Sequence, residues 1–176
     1  MMMTVYLSHG LESGPGALKM QALKGIAEQL DDCEPVVMDY RGMDEPAERL
    51  KHLTATLLAR GDDPARCVLA GSSLGGWLSA AASAQTPVLG CFLLAPALGL
   101  PEYPETSPTI QAQHTHIIHG WRDDVVPPGP VIERACLQRL SLRMIDDDHR
   151  LHSSLDTILD DFTRFLAQCA DARPPV

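Results

Sequence analysis

The stretch at residues 66–76, with the sequence RCVLAGSSLGG, constrains the fold of this chain more than any other. Its first half is a short apolar run typical of a buried β-strand, and its second half begins a helix rich in small residues. Gly71 and Gly75 flank Ser73 in the pattern G-x-S-x-G. A sharp strand-to-helix turn needs such glycines, because the two backbones approach where a side chain has no room. The stretch therefore predicts a nucleophile elbow that exposes the hydroxyl of Ser73.

The stretch also permits two other interpretations, a different nucleophile or a serine that only forms the turn. Ser72 is a competing nucleophile, but it would place Ala70 and Leu74 where the motif requires glycine. A serine in a turn also serves as a simple turn former, and the five-residue pattern occurs by chance in many proteins. The position between a strand and a helix, together with two polar signals later in the chain, favours Ser73.

Strand-like and helix-like patterns alternate along the chain. Short apolar runs predict strands at residues 4–8, 34–39, 67–70, 88–94, 115–119 and 141–145. Helical spacing of apolar residues predicts helices at 17–30, 46–61, 74–84 and 127–140, and a closing helix from about 155 onward. Such alternation is typical of right-handed β-α-β units. We therefore predict one α/β domain over residues 1–176, a three-layer α/β/α sandwich with about six parallel strands.

Composition limits the possible partners. The formal net charge is −9, and no cluster of Lys and Arg is apparent, which argues against a nucleic-acid partner. No apolar run is long enough to span a membrane, and the start of the chain lacks the basic region of a signal peptide. The five cysteines are scattered and lack metal-binding spacing, so we expect reduced thiols and a cytoplasmic protein.

The loop after the first strand, residues 9–16, is rich in glycine but lacks the spacing of nucleotide-binding motifs, so we predict no cofactor. In a serine hydrolase, such a loop turns a backbone N–H toward the acyl oxygen, and the N–H of Leu11 is best placed for this role. The second donor would be the N–H of Leu74, at the start of the helix after Ser73. We expect His9 to shape the turn rather than to act as a base.

Two later loops carry the remaining polar signals. Asp123 follows the fifth predicted strand, at the sheet edge where open α/β sheets place their sites, and Asp124 is a close competitor. His149 follows the last predicted strand, after both the serine and the acid, as the triad order of these enzymes requires. His152 is the alternative imidazole. The acidic run 146–148 is predicted to be a solvated surface segment.

The segment between the fourth and fifth strands holds four prolines, which argue against a regular helix or central strand. It is too short to form a lid domain, so we predict an open site, with Leu98, Leu100 and Tyr103 as candidate acyl-binding residues. His114, His116 and His119 would share one side of an extended strand, but no Cys or carboxylate set accompanies them. We therefore predict no metal.

The motifs 9–10, 71–75, 120–127 and 148–151, in the chain order Ser73, Asp123, His149, resemble those of the α/β-hydrolase superfamily. More narrowly, 9–13 and 71–76 resemble small lidless bacterial esterases of the YqiA type. The resemblance implies a minimal α/β-hydrolase fold without the antiparallel amino-terminal strands, with strand order 2-1-3-4-5-6. It also implies hydrolysis of a small carboxylic ester or thioester through an acyl-enzyme. Two alternatives are a hydrolase acting on acylated or peptide-like protein partners, and a binding module that no longer turns over.

Overall fold

A six-stranded parallel sheet forms the centre of the molecule, with the order β2-β1-β3-β4-β5-β6 that was predicted. The computed structural model describes residues 2–172. The strands are β1 (Met3–Ser8), β2 (Cys33–Val37), β3 (Cys67–Ser72), β4 (Val88–Leu94), β5 (Ala112–Gly120) and β6 (Ser141–Ile145). The helices are α1 (Leu18–Glu28), α2 (Pro46–Arg60), α3 (Leu74–Gln85), α4 (Pro128–Gln138) and α5 (Leu155–Ala170).

Helices cover both faces of the sheet, which confirms the three-layer α/β/α prediction. On one face, α1 and α5 bury side chains such as Leu23 and Phe162. On the other, α2, α3 and α4 bury Leu53, Trp77 and Val131. Every residue of β3 and β4 is buried, because these central strands have a helix layer on each side. This explains why they appear in the sequence as continuous apolar runs.

The segment between β4 and β5 differs from the prediction only at its end. Residues 95–111 contain no helix or strand, but β5 begins at Ala112, three residues before the predicted start. The stretch after Pro108 lacks proline, so it can pair in the sheet, and Ala112 lies opposite Val88 of β4. No helix of residues 2–172 combines the length and apolar character needed to cross a bilayer.

The two glycines of the elbow are required by close backbone contact. A Cβ on Gly71 would lie 2.1 Å from the carbonyl oxygen of Gly75, and a Cβ on Gly75 would lie 1.9 Å from the carbonyl oxygen of Ser8. Neither neighbour is the end of a flexible side chain that could move aside. The start of α3 therefore packs directly against the ends of β1 and β3, and this contact fixes where Ser73 lies.

We expect Gly75→Ala to lower the free energy of unfolding by at least about 3 kcal/mol, because the added methyl group overlaps backbone atoms. The matched control is Gly25→Ala in α1, where a Cβ would meet nothing within 4 Å. Since alanine favours a helix over glycine, that change should stabilise the protein by about 0.5–1 kcal/mol. Urea unfolding of both variants measures the difference, and equal effects would contradict the packing described for the elbow.

Candidate active site

Ser73 adopts a strained backbone conformation at the turn between β3 and α3. Its φ of 57° and ψ of −116° lie outside the regions that non-glycine residues normally occupy. Backbone hydrogen bonds hold it there: its N–H donates to Leu94 O (2.9 Å), and its carbonyl accepts from the N–H groups of Trp77 (3.1 Å) and Ala97 (3.0 Å). Such strain costs about 1–3 kcal/mol and is typical of functional positions. The geometry is that of the predicted nucleophile elbow.

His149 bridges Ser73 and Asp123. The Nε2 atom of His149 lies 3.0 Å from Ser73 Oγ, and its Nδ1 lies 2.7 Å from Asp123 Oδ2. With a proton on Nδ1, the imidazole donates to the carboxylate and accepts from the serine hydroxyl. This arrangement can remove the hydroxyl proton and stabilise the imidazolium that results. The structure thus brings together the three residues that the sequence predicts as a triad.

The competing residues line the same cleft but take no part in these hydrogen bonds. Asp124 is exposed, whereas Asp123 is buried and directly contacts the imidazole. His152 begins a short 3₁₀ helix and is exposed. Ser72 is the last residue of β3, and it is the hydroxyl of its neighbour, Ser73, that donates to His149 Nε2. The hydrogen bonds of the folded chain therefore identify one residue in each pair of competing candidates.

The loop after β5 holds the Asp123 carboxylate in a fixed orientation. Its Oδ1 accepts from the backbone N–H groups of Val125 (3.0 Å) and Val126 (2.8 Å). Its Oδ2 lies 3.3 Å from Nε2 of His119, which donates to the carbonyl oxygen of Val126 at 2.9 Å. Asp123 is therefore oriented by its own loop and by a buried histidine on the preceding strand. That role of His119 is not evident from the sequence.

The loop that carries His149 is shaped by Asp147. The prediction of a solvated acidic run is wrong for this residue, which is 3% exposed. Its carboxylate accepts from the N–H of Asp148 (2.7 Å) and from the hydroxyl of Ser154 (2.7 Å). Burial alone would raise the pKa of Asp147, but these hydrogen bonds outweigh it and lower the pKa. The backbone N–H of Arg122 also donates to Asp147 O (3.1 Å), which ties the histidine loop to the acid loop.

The loop after β1 passes beside Ser73. A Cβ on Gly10 would lie 3.6 Å from Ser73 Cβ, so the peptide that joins Gly10 to Leu11 lies close to the nucleophile. Leu74 is the first residue of α3, and its N–H has no intrahelical acceptor. The two predicted oxyanion donors thus come from segments that flank Ser73.

His9 is completely buried and supports this loop. Its Nδ1 donates to Gly10 O (2.8 Å), and its Nε2 accepts from the N–H of Tyr40 (3.0 Å). Both ring nitrogens are therefore engaged by the backbone. Burial lowers the pKa of His9, so the imidazole stays neutral at pH 7. This agrees with the expectation that His9 shapes the turn.

A cleft of about 780 Å³ opens beside Ser73 and His149. Leu100 and Tyr103, two of the predicted acyl-binding residues, line it together with Leu11, Leu18 and Val125. The expectation for Leu98 is wrong: this side chain is completely buried in the core and does not line the cleft. The residues between β4 and β5 fold down onto α3, which carries Leu98 inward.

Lys19 also lines this cleft, and its Nζ donates to the carbonyl oxygen of Arg150 at 2.8 Å. Burial lowers the pKa of Lys19 to about 8. Four carboxylate side chains share the cleft with two cationic ones, namely Glu12, Glu102, Asp124 and Asp148 with Lys19 and Arg150. The cleft is therefore acidic on balance, like the whole chain.

A second Ser, His and Asp set lies at the opposite end of β5 and β6. His116 contacts Ser141 Oγ (2.7 Å) and Asp161 Oδ2 (2.8 Å). Here Asp161 also accepts from Arg143 at 2.6 Å, which neutralises its charge, and Ser141 has no strained turn because it begins a regular strand. This set therefore lacks the strained strand-to-helix turn that presents Ser73 in the first.

The expectation that three histidines share one side of β5 is wrong. His116 points toward α5, where it meets Asp161, whereas His119 contacts the loop after the strand. His119 is three positions after His116, an odd spacing, so their side chains lie on opposite faces of the sheet. Among residues 2–172, no group of three or more His, Cys, Asp or Glu side chains is arranged to hold a metal ion.

Two buried histidines should make stability depend on pH. Burial lowers the pKa of both His9 and His119 below the ordinary 6.5. Below pH 6.5 the unfolded chain therefore binds protons that the folded chain does not, and the free energy of unfolding falls by up to about 1.4 kcal/mol per pH unit for each histidine. We expect a lower urea midpoint at pH 5.5 than at pH 7.5.

Two variants test whether His119 contributes to this pH dependence of the urea midpoint. His119→Gln should reduce the difference between the two pH values, whereas His152→Gln, at an exposed position, should leave it unchanged. Equal midpoints at both pH values in the unmodified protein would show that these imidazoles are not held neutral.

Several solved structures share the fold of this chain. A protein of the alpha/beta superfamily from Xanthomonas campestris pv. campestris is 31% identical, with a TM-score of 0.83 over 94% of this chain and 98% of that chain. A lidless alpha/beta serine hydrolase from Xanthomonas campestris is 20% identical, with a TM-score of 0.77 over 98% and 84%. Est1E from Butyrivibrio proteoclasticus is 15% identical, with a TM-score of 0.78 over 97% and 89%.

A search of curated protein sequences finds no match. The model of the uncharacterised protein family UPF0227 matches residues 3–173, which is nearly the whole chain. The chain therefore belongs to the UPF0227 family and has the fold of the α/β-hydrolase superfamily.

Proposed function

We propose that this protein is a serine hydrolase that cleaves carboxylic esters or thioesters of small to medium acyl chains. The observation that carries the proposal is the hydrogen-bonded series from Ser73 Oγ through His149 to Asp123, beside an open cleft. The strained backbone of Ser73 supports it further, because strain of this kind persists where the surrounding structure demands it.

In the proposed reaction, Ser73 Oγ attacks the acyl carbonyl carbon while His149 Nε2 takes the hydroxyl proton. Asp123 stabilises the imidazolium, and the N–H groups of Leu11 and Leu74 receive the oxyanion. His149 then protonates the departing alcohol or thiol, which leaves an acyl-enzyme. A water molecule gives its proton to His149 and attacks this ester, and the carboxylic acid departs as Ser73 regains a proton.

The charges around the cleft favour a neutral substrate. Four carboxylates face two cations there, and the whole chain carries a net charge of −9. An acyl-CoA brings several phosphate charges, which this field would repel. A solved structure of Est1E, which has a similar fold, has ferulic acid bound, so an aromatic acyl ester is a useful probe beside simple aliphatic ones. The free thiols of the described residues are consistent with the proposed cytoplasmic location.

A fluorophosphonate probe tests the nucleophile. We expect it to label the protein and to fail with Ser73→Ala, because the probe reacts with an activated serine hydroxyl.

Asp123→Asn should lower kcat for a p-nitrophenyl ester by roughly 10⁴-fold, as expected when the imidazole loses its partner. The matched control, Asp124→Asn, changes an exposed carboxylate one residue away and should retain most activity. Equal labelling of the wild type and Ser73→Ala would mean that another serine reacts.

A substrate panel tests the preference for neutral esters. The test compares the rates of hydrolysis of p-nitrophenyl butyrate, butyryl-CoA and the butyryl thioester of N-acetylcysteamine, which carries no phosphate. If repulsion limits the CoA ester, the neutral thioester should be hydrolysed faster than butyryl-CoA, and added salt should narrow the gap. Faster hydrolysis of butyryl-CoA would contradict this view of the cleft. An acylated protein substrate that outperforms all three would support the alternative function, hydrolysis of acylated protein partners.

A further inference from the structure

Arg49 is a buried cation that contacts the oxyanion loop. It lies in the first turns of α2 and is 2% exposed. Its Nη1 donates to Gly10 O (3.1 Å), its Nη2 to Leu11 O (3.2 Å) and its Nε to Met43 O (2.7 Å). The guanidinium therefore spans two successive carbonyl groups of the loop that passes beside Ser73.

The charge of Arg49 has no carboxylate partner within 4 Å among residues 2–172. Its neighbours are neutral carbonyl groups and the ring of Tyr40, whose centroid lies 5.5 Å from the guanidinium carbon. Burial lowers the pKa of Arg49, but a guanidinium remains protonated at neutral pH. A buried cation without a carboxylate in contact is costly, and the more distant Asp44 offsets its field only in part.

The peptide that joins Gly10 to Leu11 is oriented by three donors. The Gly10 carbonyl accepts from Arg49, from His9 Nδ1 (2.8 Å) and from Ser13 Oγ (3.3 Å). No peptide bond in the described chain is cis, so the N–H of Leu11 points away from these donors. Within residues 2–172 that N–H donates to no protein acceptor. It is free to donate to a ligand.

We infer that Arg49 is a positioning residue that orients and polarises the Leu11 N–H for the oxyanion of the acyl transfer, an inference that rests on the proposed function. Its forked hydrogen bonds fix the peptide plane. Its charge draws electron density toward the Gly10 carbonyl, which strengthens the N–H on the other side as a donor. Both effects act most strongly when negative charge develops on the substrate.

A role in the transition state predicts a specific kinetic pattern. Arg49→Met should lower kcat by roughly 10- to 100-fold, less than or equal to the loss of one oxyanion donor, with little change in KM. A trifluoromethyl ketone gives the sharper measurement, because Ser73 adds to its carbonyl and forms a stable tetrahedral oxyanion. Its inhibition constant should rise by the same factor as kcat/KM falls. A residue that only supports the fold would not link these two quantities.

Arg60→Met is the matched control on the same helix. Arg60 ends α2 and pairs with Asp62 and Glu34, away from the cleft. That variant should retain wild-type kcat and wild-type affinity for the ketone. Arg49→Lys keeps a charge but loses the fork, so its activity should lie between those of the wild type and Arg49→Met.

Arg49→Lys keeps the inference testable if Arg49→Met does not fold, and Ser13→Ala tests the orientation of the same peptide with Arg49 in place. Ser13 is exposed, and its loss removes one of the three donors to Gly10 O. We expect a two- to fivefold fall in kcat, about what one weak hydrogen bond contributes, with a parallel loss of ketone affinity. Unchanged kcat and ketone affinity in a folded Arg49→Met, or in Arg49→Lys if only that variant folds, would overturn the role of Arg49 alone. A wild-type protein that neither labels nor hydrolyses esters would overturn the proposed function and this inference with it.

Discussion

The direct contact between the start of α3 and the end of β1 is the constraint on which the site depends. The backbone at Gly75 approaches the Ser8 carbonyl so closely that no Cβ fits between them. This contact brings the ends of β1 and β3 together under one helix. The chain at Ser73 must then turn within a single residue, and that turn forces the positive φ. The loop after β1 passes beside Ser73 for the same reason.

The strain at Ser73 is tolerated because its surroundings are fixed on several sides. Its backbone joins β4 through Leu94 O and joins the next segment through Ala97 N–H. Trp77, one turn into α3, is completely buried, and its indole N–H donates to Glu105 O at 2.6 Å. These contacts reach the segment between β4 and β5, so that segment is packed against the elbow. The strained backbone of Ser73 costs a few kcal/mol. Relaxing it would require these packed contacts to break, so the strained conformation persists.

Local sequence patterns predicted the parts of this protein that local chemistry determines. Apolar runs predicted the strands, and the glycine spacing predicted the elbow, because both depend on backbone geometry within a few residues. Arg49 was not identified, since an arginine on an amphipathic helix is normally solvated. Its acceptors, Gly10 and Leu11, lie almost forty residues earlier in the chain. Asp147 was misjudged for a similar reason: a run of three aspartates is indistinguishable from a surface segment until the partner Ser154 is in place.

The choices between neighbouring residues show the same limit. Asp123 and Asp124 are chemically identical in the sequence, and only the N–H groups of Val125 and Val126 determine which of them turns inward. Leu98 and Leu100 differ in the same manner, one in the core and one in the cleft. In each pair, the course of the backbone through the loop determines which side chain points inward. A motif restricts the chemistry to two or three residues, and tertiary packing selects among them.

The position of the segment between β4 and β5 also determines how much of a bound acyl chain the cleft would bury. Because the ring of Tyr103 packs on Trp77, with 5.3 Å between centroids, this segment lies against α3 and forms one wall of the cleft. Leu11, Leu18 and Val125 remain about half exposed at the opening. An acyl chain bound there would exchange water for apolar contacts only along part of its surface, so burial would contribute modestly to its affinity. For the proposed hydrolysis, rate enhancement would then depend mainly on contacts made in the transition state, such as those of the Leu11 and Leu74 N–H groups with the oxyanion.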